Sequence, residues 1–284
     1  MKHLLHTIPL FFLFFSLIFI PSTAKAQDTY NVATYNIRYD NPGDEGNLWQ
    51  DRSPHLISLI QFHEMDIIGT QEGLYNQLED MKRELDFPYI GVARDDGDKK
   101  GEYSAVFYNP EKFVLLEHDT FWLSETPEKP SVGWDASMER VCSYGKFKTK
   151  QGDHTFYVFN VHYDHRGQKA REESSKLLME KIDEINKEHL PCVLTGDFNV
   201  TDDNPAYKEI KEGGEFKDTI NLAPFSHGPE GTFNAFNWDY LPDRRIDYIF
   251  VTEHFKVIRH GTLSDNYGKK YPSDHFPVMA EIKF

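Results

Sequence analysis

The sequence contains little cysteine, with only Cys142 and Cys192 among its 284 residues. Both lie in apolar, strand-like stretches, which favours two buried free thiols. A disulfide between them is the alternative, and it would require Cα atoms within about 7 Å of each other. Two cysteines so far apart in the chain form no metal-binding or redox motif. Cysteine chemistry is therefore excluded as the basis of function.

Positive charge is also scarce. The chain has 31 Lys and Arg against 46 Asp and Glu, a formal net charge of −15. Such a surface repels polyanions, which disfavours sequence-independent binding of nucleic acid. The chain has no run of basic residues, although a local basic groove or a bound divalent metal would offset part of the charge. Nucleic acid is therefore a possible partner but not the favoured one.

Long apolar runs are missing except at the N-terminus. There, Lys2 precedes 17 mostly apolar residues, 4–20, and Ala24-Lys25-Ala26 then offers a small-residue cleavage site. This pattern predicts a secretory signal peptide, residues 1–26, and export to a periplasm or to the extracellular space. The alternative is an uncleaved membrane anchor, because the run reaches the lower edge of the spanning range of ~17–25 residues. The small-residue site favours cleavage.

Cleavage after residue 26 would leave residues 27–284, with 29 basic and 46 acidic residues and a formal net charge of −17. This length suits one large domain or two small ones. Internal repeats, low-complexity segments and Pro/Gly-rich linkers are all missing from it, so we expect a single domain. We also expect no stable membrane insertion after cleavage. No segment specifies an oligomeric state.

Apolar patterns predict both helices and strands along this part of the chain. Helices are predicted over 56–65, 74–85 and 168–188, and strands over 29–37, 67–70, 104–108, 113–118, 141–148, 155–162, 191–196, 246–252, 257–263 and 278–284. The two kinds of element do not alternate strictly, because consecutive strands interrupt the pattern. This predicts an α/β fold in which two packed mixed β-sheets are flanked by helices, a four-layer sandwich.

Polar clusters follow several of the predicted strands. The most informative is Thr195-Gly196-Asp197-Phe198-Asn199, which follows an apolar run. Its carboxylate and carboxamide lie two residues apart and therefore point to the same side. That arrangement suits a site that binds an anion and activates water. Further polar residues lie at or just beyond other strand ends: Asn36, Glu72, His162, Asp247, Asp274 and His275.

Three of these residues offer oxygen atoms to a metal. Glu72 and Asp274 are hard carboxylate ligands, and Asn36 offers a neutral amide oxygen. A site with few carboxylates, in which water molecules complete the coordination, suits Mg²⁺. Ca²⁺ uses more protein oxygen ligands, and Zn²⁺ uses more His or Cys ligands. A single acid at a strand end is more often a solvated cap or an ion-pair partner, so each of these residues is informative only as part of the set.

Asp247 and His275 predict a second kind of chemistry. A histidine titrates near neutral pH and needs a partner that fixes its tautomer. Asp247 lies inside an apolar strand, where a carboxylate must be paired. We therefore hypothesise a hydrogen bond from His275 to Asp247; an ion pair of Asp247 with Arg244 or Arg245 is the alternative. His162 also ends a strand, but alone it would more often be a structural histidine.

Taken together and in order, these motifs resemble the endonuclease/exonuclease/phosphatase superfamily. The resemblance extends from about Tyr30 to the C-terminus. The motifs that carry it are Thr34-Tyr35-Asn36-Ile37, Thr70-Gln71-Glu72, Asn160-Val161-His162, Gly196-Asp197-Phe198-Asn199, Arg245-Ile246-Asp247-Tyr248-Ile249 and Ser273-Asp274-His275-Phe276-Pro277. The resemblance implies a two-sheet α/β sandwich with one active site at its rim, and hydrolysis of a phosphoester by a metal-dependent enzyme.

The resemblance also implies roles for these residues. The metal, Mg²⁺ or Mn²⁺, would be held by Asn36 and Glu72, with Glu72 as direct ligand and Asp274 as a second metal-side carboxylate. Asp197 would orient or deprotonate the attacking water. The other catalytic residues would be His162 and Asn199, which contact the phosphate, and Asp247, which orients His275. The family itself divides over one metal or two and over which residue is the base.

Substrate identity is specified less sharply. Arg140 opens a predicted strand and, with His162 and Asn199, is expected to bind the phosphate; related secreted bacterial members have a similar Trp-x-x-x-x-x-Arg segment, here starting at Trp134. Residues expected near the mouth of the site are Tyr163, Asp164, His165 and Arg171, and Phe236 and Trp238 are candidates to stack against a ring or sugar of the substrate. We favour a small phosphodiester or phosphomonoester, such as a sugar phosphate, a lipid head group or a short nucleotide. A secreted nuclease acting on DNA or RNA and a catalytically idle binding module are the alternatives.

Overall fold

The computed structural model describes residues 29–213 and 215–284, so the predicted signal peptide lies outside the described residues. The described helices are α1 (Trp49–Phe62), α2 (Tyr75–Leu85), α3 (Gln168–Ile185), α4 (Pro205–Glu212) and α5 (Thr219–Leu222). The described strands are β1 (Tyr30–Asn36), β2 (Ile67–Gly73), β3 (Tyr89–Ile90), β4 (Tyr103–Tyr108), β5 (Phe113–Trp122), β6 (Val141–Thr149), β7 (Thr155–His162), β8 (Cys192–Asp197), β9 (Lys217–Asp218), β10 (Ser226–His227), β11 (Asp247–Val251), β12 (Lys256–Thr262) and β13 (Val278–Lys283).

The strands form two mixed sheets. The first has the order β10-β12-β13-β1-β2-β4-β3, and the second has the order β5-β6-β7-β8-β11-β9. β1 pairs in parallel with β2 and antiparallel with β13, while β7 pairs in parallel with β8, which pairs antiparallel with β11. The predicted fold, two packed mixed sheets flanked by helices, is confirmed.

Three apolar layers stabilise the sandwich. Successive side chains of a central strand point to opposite faces of its sheet, so each central strand contributes to two of these layers. Val32 of β1 packs between the sheets against Val158 and Val193, whereas its neighbour Ala33 faces α1 and α2. On the far side, α3 and α4 cover the second sheet through apolar side chains that include Leu178. Because both faces of the central strands are buried, these strands carry apolar side chains on both faces.

A polar layer interrupts the core between the sheets, below the rim where the central strands end. Asn160 lies at its centre. Its amide nitrogen donates to the carbonyl oxygens of Thr70 and Ala105, 2.9 Å from each, and its Oδ1 accepts from Gln71 at 2.7 Å and from Thr195 at 3.0 Å. These bonds join β2 and β4 of one sheet to β7 and β8 of the other. They fix the relative position of the strand ends that carry the polar clusters.

Some element boundaries differ from the sequence prediction. α1 begins at Trp49 rather than at 56, because its first turns bury Arg52, whose guanidinium binds the carbonyl oxygens of Asn47 and Pro272. β5 runs on to Trp122 along the edge of its sheet. α4, α5 and the two-residue strands β3, β9 and β10 were not predicted. Two-residue strands show no periodicity, but Asn204 and Pro205 are a helix-start signal for α4.

Cys142 and Cys192 are both buried and free, as the sequence favoured. Within residues 29–213 and 215–284, no helix combines the length and the apolar character that crossing a bilayer requires.

Candidate functional site

The ends of β1, β2, β7, β8 and β11 meet at one rim of the sandwich, where they surround a cleft of about 540 Å³. This volume lies within the usual range of small-molecule sites. The cleft is lined by Arg38, Tyr39, Glu72, Arg94, Glu102, Met138, Arg140, His162, His165, Asp197, Asn199, Phe233, Arg244, Ile246, Asp274 and His275. Asn36 and Asp247 contact these residues from below. The structure therefore brings together, in one place, all nine site residues predicted from the sequence: Asn36, Glu72, Arg140, His162, Asp197, Asn199, Asp247, Asp274 and His275.

Asp247 and His275 form the predicted hydrogen bond. Nδ1 of His275 lies 2.9 Å from Oδ2 of Asp247, and both residues are buried. Arg245 instead forms an ion pair with Asp218, at 2.7 Å, and Arg244 lines the cleft. Because Asp247 binds Nδ1, the Nε2 edge of His275 faces the cleft, where it lies 3.8 Å from Oδ2 of Asp197.

Asp247 shifts the proton affinity of both His275 and Asp197. Burial alone would lower the pKa of His275, but the charge and the hydrogen bond of Asp247 outweigh it and raise the pKa to about 10. His275 is therefore an imidazolium at neutral pH. Burial, reinforced by the charge of Asp247, raises the pKa of Asp197 to about 7. The cleft thus places a charged donor beside a carboxyl group that titrates near neutrality.

Asn36 connects this group to the acidic side of the cleft. Its amide nitrogen donates to Oδ2 of Asp197 at 3.0 Å and to Oε1 of Glu72 at 3.1 Å, while its Oδ1 accepts from the backbone nitrogen of Arg38. In this orientation Asn36 positions both carboxylates. Its amide oxygen would face a cation only if the amide group turned over, so its predicted role as a metal ligand stays a prediction.

Glu72 and Asp274 form the acidic side of the cleft, and a guanidinium lies between them. Atoms of Arg38 lie 3.8 Å from Oε2 of Glu72 and 3.8 Å from Oδ2 of Asp274, while Asp44 holds the same guanidinium through two bonds of 2.8 and 3.0 Å. An irregularity of β2 between Thr70 and Gly73 turns Glu72, with φ 65°, out of the regular strand. Burial raises the pKa of Asp274 to about 6. A buried and a half-buried carboxylate that share one guanidinium are a suitable donor set for a hard divalent metal.

A second group of donors lies close by. Asp197, Asp247 and His275 offer ligand atoms within 4.8 Å of one another. We assign this group to hydrogen bonding rather than to metal binding, because Nδ1 of His275 is already bonded to Asp247 and an imidazolium has no lone pair for a metal. The oxygen set of Glu72 and Asp274 is the better candidate.

His162 and Asn199 face the centre of the cleft. Nε2 of His162 lies 3.6 Å from Oδ2 of Asp197. Burial and then the charge of Arg140 hold the pKa of His162 well below its usual value, so this ring is neutral. Asn199 adopts φ 52°, a conformation that Asn tolerates better than most residues, and its amide nitrogen donates to the carbonyl oxygen of Tyr163 at 3.0 Å.

Arg140 supplies the main buried positive charge at the opposite side. It is 4% exposed; its Nε lies 3.4 Å from Asp164, and its Nη2 donates to Nδ1 of His165 at 3.0 Å. Its Nη1 has no hydrogen-bond partner among the described residues. Asp164 in turn accepts from the backbone of Arg166 and Gly167, which fixes the loop after β7. A buried guanidinium with a spare donor in a cleft is suited to an oxyanion.

Of the other residues expected near the cleft, some line it and some do not. His165 lines the cleft, but Tyr163 is fully buried, where its ring packs on Phe198. Asp164 and Arg171 shape the loop instead of facing the cleft, since Arg171 donates to the carbonyl oxygen of Asp164. Phe236 and Trp238 are not among the cleft-lining residues; Trp238 stacks on Tyr271 with ring centroids 5.4 Å apart.

Several cleft residues escaped the sequence analysis, chiefly Arg38, Arg94, Glu102 and Phe233. Arg38 is two residues from Asn36, and Glu102 immediately precedes β4, so position at a strand end was the available signal. Arg94 and Phe233 lie in loops without such a signal. They reach the cleft only through long-range contacts, such as the bridge between Phe233 and His275.

Comparison with known proteins shows which protein family has this sequence and fold. Residues 33–275 match the model of the Endonuclease/Exonuclease/phosphatase family. A mannosyl-6-phosphatase of Bacteroides thetaiotaomicron has 44% identity and a TM-score of 0.88 over 90% of this chain and 100% of its own. A family protein from Bacteroides vulgatus has 39% identity and a TM-score of 0.86 over 91% of this chain and 100% of its own. The human nocturnin catalytic domain, with 17% identity and a TM-score of 0.71 over 91% and 97%, shares the fold.

Proposed function

Because the chain belongs to the endonuclease/exonuclease/phosphatase family, we propose that it is a divalent-metal-dependent phosphoesterase acting on a small phosphoester, with a sugar phosphate as the favoured substrate. The observation that carries the proposal is the position of Asn36, which bonds Glu72 and Asp197 with one amide group at 3.1 and 3.0 Å. This amide ties the carboxylate that would face the metal to the carboxylate that would face the water.

Glu72 and Asp274 would hold the metal, with Asn36 beside them, and their chemistry favours Mg²⁺ or Mn²⁺. When bound, a divalent cation neutralises phosphate charge and polarises a phosphoryl oxygen. Arg38, which lies 3.8 Å from each carboxylate, supports this assignment because a positive charge already lies between the two.

The remaining side chains would bind the phosphate and activate water. Asp197, with its pKa near 7, is a suitable base for the attacking water at neutral pH. The Nε2–H of the His275 imidazolium and the spare N–H of Arg140 would stabilise negative charge on the phosphoryl oxygens as it develops. His162 and Asn199, which lie between them, would contact the phosphate or the leaving group.

A small substrate fits both charge and size. A cleft of about 540 Å³ accommodates a monosaccharide-sized group, and the excess of acidic residues disfavours a polyanion. The relative of 44% identity is named as a mannosyl-6-phosphatase. We therefore propose a phosphomonoester of a sugar ahead of a diester, and a nuclease as the alternative. The N-terminal pattern of residues 1–26 supports export, although those residues lie outside the described structure.

A substrate panel tests the proposal. Purified protein, with Mg²⁺, Mn²⁺ or excess chelator, would be assayed on mannose 6-phosphate, an aryl phosphomonoester, an aryl phosphodiester, plasmid DNA and RNA at low salt. We expect metal-dependent release of phosphate from the sugar phosphate. Preferential cleavage of plasmid or RNA would favour the nuclease. Full activity in chelator would refute the metal role of Glu72, and inactivity on every substrate would favour an idle binding module.

A further inference from the structure

One wall of the cleft has no role in the chemistry proposed above. It consists of Arg94 and Glu102, with Met138 beside them. The guanidinium of Arg94 grips the carboxylate of Glu102 through two bonds, Nη1 to Oε2 at 2.7 Å and Nη2 to Oε1 at 2.8 Å. Both side chains are largely buried, at 11% and 17% exposure. An ion pair buried in a substrate cleft needs an explanation, because burial alone makes such pairs costly.

The fold holds this pair rigidly. The backbone nitrogen of Arg94 donates to the carbonyl oxygen of Glu102 at 3.0 Å, which closes the loop between them. The carbonyl oxygen of Arg94 accepts from the indole of Trp122 at 2.7 Å, and Nη2 also lies 3.0 Å from the sulfur of Met138. The pair is therefore preorganised before any ligand enters, as a specificity site requires.

The pair also retains hydrogen-bonding capacity. Each oxygen of Glu102 accepts one N–H from Arg94 and keeps a further lone pair. Nε of Arg94 lies 3.8 Å from Oδ1 of Asp95 but has no hydrogen-bond partner among the described residues, and neither has Nη1 of Arg140 on the adjacent wall. Acceptors and donors thus lie side by side, which suits hydroxyl groups because each hydroxyl both donates and accepts.

The pair is adjacent to the reacting centre. Oε2 of Glu102 lies 3.9 Å from Nδ1 of His162, whose opposite nitrogen lies 3.6 Å from Asp197. One imidazole ring therefore separates Glu102 from the carboxylate proposed to activate water. A group bound at Glu102 would belong to the part of the substrate next to the phosphate, not to a remote portion.

We propose that Glu102 and Arg94 form a subsite for the hydroxyl groups of the substrate's sugar ring, and that this subsite selects polyhydroxylated phosphoesters. This inference rests on the proposed phosphoesterase function. A second phosphate is a poor fit, because Glu102 neutralises Arg94 and would repel an anion. A nucleobase is also a poor fit, because the aromatic rings Tyr39 and Phe233 of the cleft lie elsewhere, with Tyr39 under Arg38 and Phe233 on His275.

The test compares two substrates that share a phosphate but differ in hydroxyl groups. Glu102→Gln keeps the shape of the side chain but removes its charge. For this variant, kcat/KM would be measured with mannose 6-phosphate and with p-nitrophenyl phosphate in saturating Mg²⁺. We expect the ratio of kcat/KM for mannose 6-phosphate to kcat/KM for p-nitrophenyl phosphate to fall by about tenfold to 100-fold. Hydrogen bonds from hydroxyl groups to a charged group are among the stronger hydrogen bonds in proteins. The rise in KM for the sugar phosphate should account for most of the change.

Controls separate a local effect from a folding defect. Glu111→Gln removes an exposed carboxylate in the loop before β5 and should leave the ratio as in the wild type. Arg94→Gln serves as a second variant, and its ratio should fall in the same direction. Inhibition of p-nitrophenyl phosphate hydrolysis by mannose 6-phosphate gives an independent measure, with an inhibition constant at least about tenfold weaker in Glu102→Gln than in the wild type.

The outcomes distinguish this inference from the function on which it rests. Equal losses on both esters in Glu102→Gln would show that Glu102 acts on the chemistry through His162, and would overturn the sugar subsite. An unchanged ratio in both Glu102→Gln and Arg94→Gln would overturn it as well. If the wild type hydrolyses neither of the two esters, the proposed phosphoesterase function would be overturned, and the subsite with it.

Discussion

At the scale of single residues, Asp247 controls the electrostatics of the cleft although it does not line it. Its Oδ2 bonds to His275, and its Oδ1 has no partner among the described residues. Its charge raises the pKa of His275 to about 10 and contributes, after burial, to the pKa of about 7 at Asp197. One carboxylate therefore favours the protonated form of both its neighbours.

We predict that Asp247→Asn shifts the pH dependence of kcat/KM to lower pH. Activity should rise as Asp197 loses its proton and fall as His275 loses its own. The loss of a negative charge lowers both pKa values, so both limbs should move to lower pH by roughly one unit or more. Profiles from pH 5 to 11 in saturating Mg²⁺ would measure this shift.

Asp66→Asn is the matched control, because Asp66 is also buried but pairs with Lys112 outside the cleft. Its profile should follow that of the wild type. An Asp247→Asn profile with unmoved limbs, whatever its height, would contradict the assigned coupling.

We also predict that Asp197→Ala and His275→Ala each lower kcat by about 10²-fold or more, the usual loss when a general base or a charge-stabilising donor is removed. Steady-state rates on the best substrate of the panel would measure this. His118→Ala, in exposed β5, should retain wild-type kcat. Near-native turnover in Asp197→Ala or His275→Ala, with the fold verified by circular dichroism, would reject the role assigned to that residue.

At the scale of elements, the sequence specified the strands that carry chemistry better than the loops. β7 has the predicted bounds, 155–162, and β8 differs by one residue at each end, because these buried central strands are rich in apolar residues and turn-prone residues flank them. Arg94 and Phe233 could not be assigned to the cleft in the same way. Their positions depend on long-range pairing, as in the bridge of Phe233 with His275, and a single sequence does not encode such pairing locally.

The polar layer between the sheets gives a prediction for β2. Gly69 faces this layer, and a methyl group there would overlap the side-chain oxygens of Thr195 and Asn160. We predict that Gly69→Ala destabilises the protein by about 1–3 kcal/mol or more, because well-packed interiors do not accept an extra carbon. It should also lower kcat, since β2 carries Glu72. Urea unfolding and steady-state kinetics would measure the two effects.

Gly213→Ala is a suitable control for this substitution, because a methyl group at Gly213 meets no atom of the described residues within 4 Å. It should leave stability within about 0.5 kcal/mol of the wild type or above it. Equal stability of Gly69→Ala and Gly213→Ala would show that the sheets separate easily at this point, contrary to the tight polar layer described here.

At the scale of the whole molecule, the cleft gathers buried carboxyl groups whose proton affinity the fold raises. Burial raises the pKa of Asp197 to about 7 and that of Asp274 to about 6. A carboxyl group with a raised pKa holds its proton more tightly in the folded state than in the unfolded state. Its contribution to stability is therefore complete below pH ~4, where the unfolded group titrates, and it is lost as the pH rises to 6–7.

A metal that binds Glu72 and Asp274 should oppose this loss, so we predict that Mg²⁺ stabilises the protein strongly at pH 8 and weakly at pH 5. At pH 5 a proton occupies Asp274 and competes with the cation. At 100 times its dissociation constant a ligand adds about 2.7 kcal/mol of stability, which for this size of protein corresponds to an increase in Tm of roughly 5–10 °C. Thermal unfolding with Mg²⁺ or chelator at both pH values, without substrate, would measure this increase in Tm.

Glu72→Gln should abolish the increase in Tm at pH 8, and Glu111→Gln should preserve it. A shift of equal size at both pH values would contradict a site in which Asp274 must first lose a proton, and a shift that survives in Glu72→Gln would place the bound cation elsewhere.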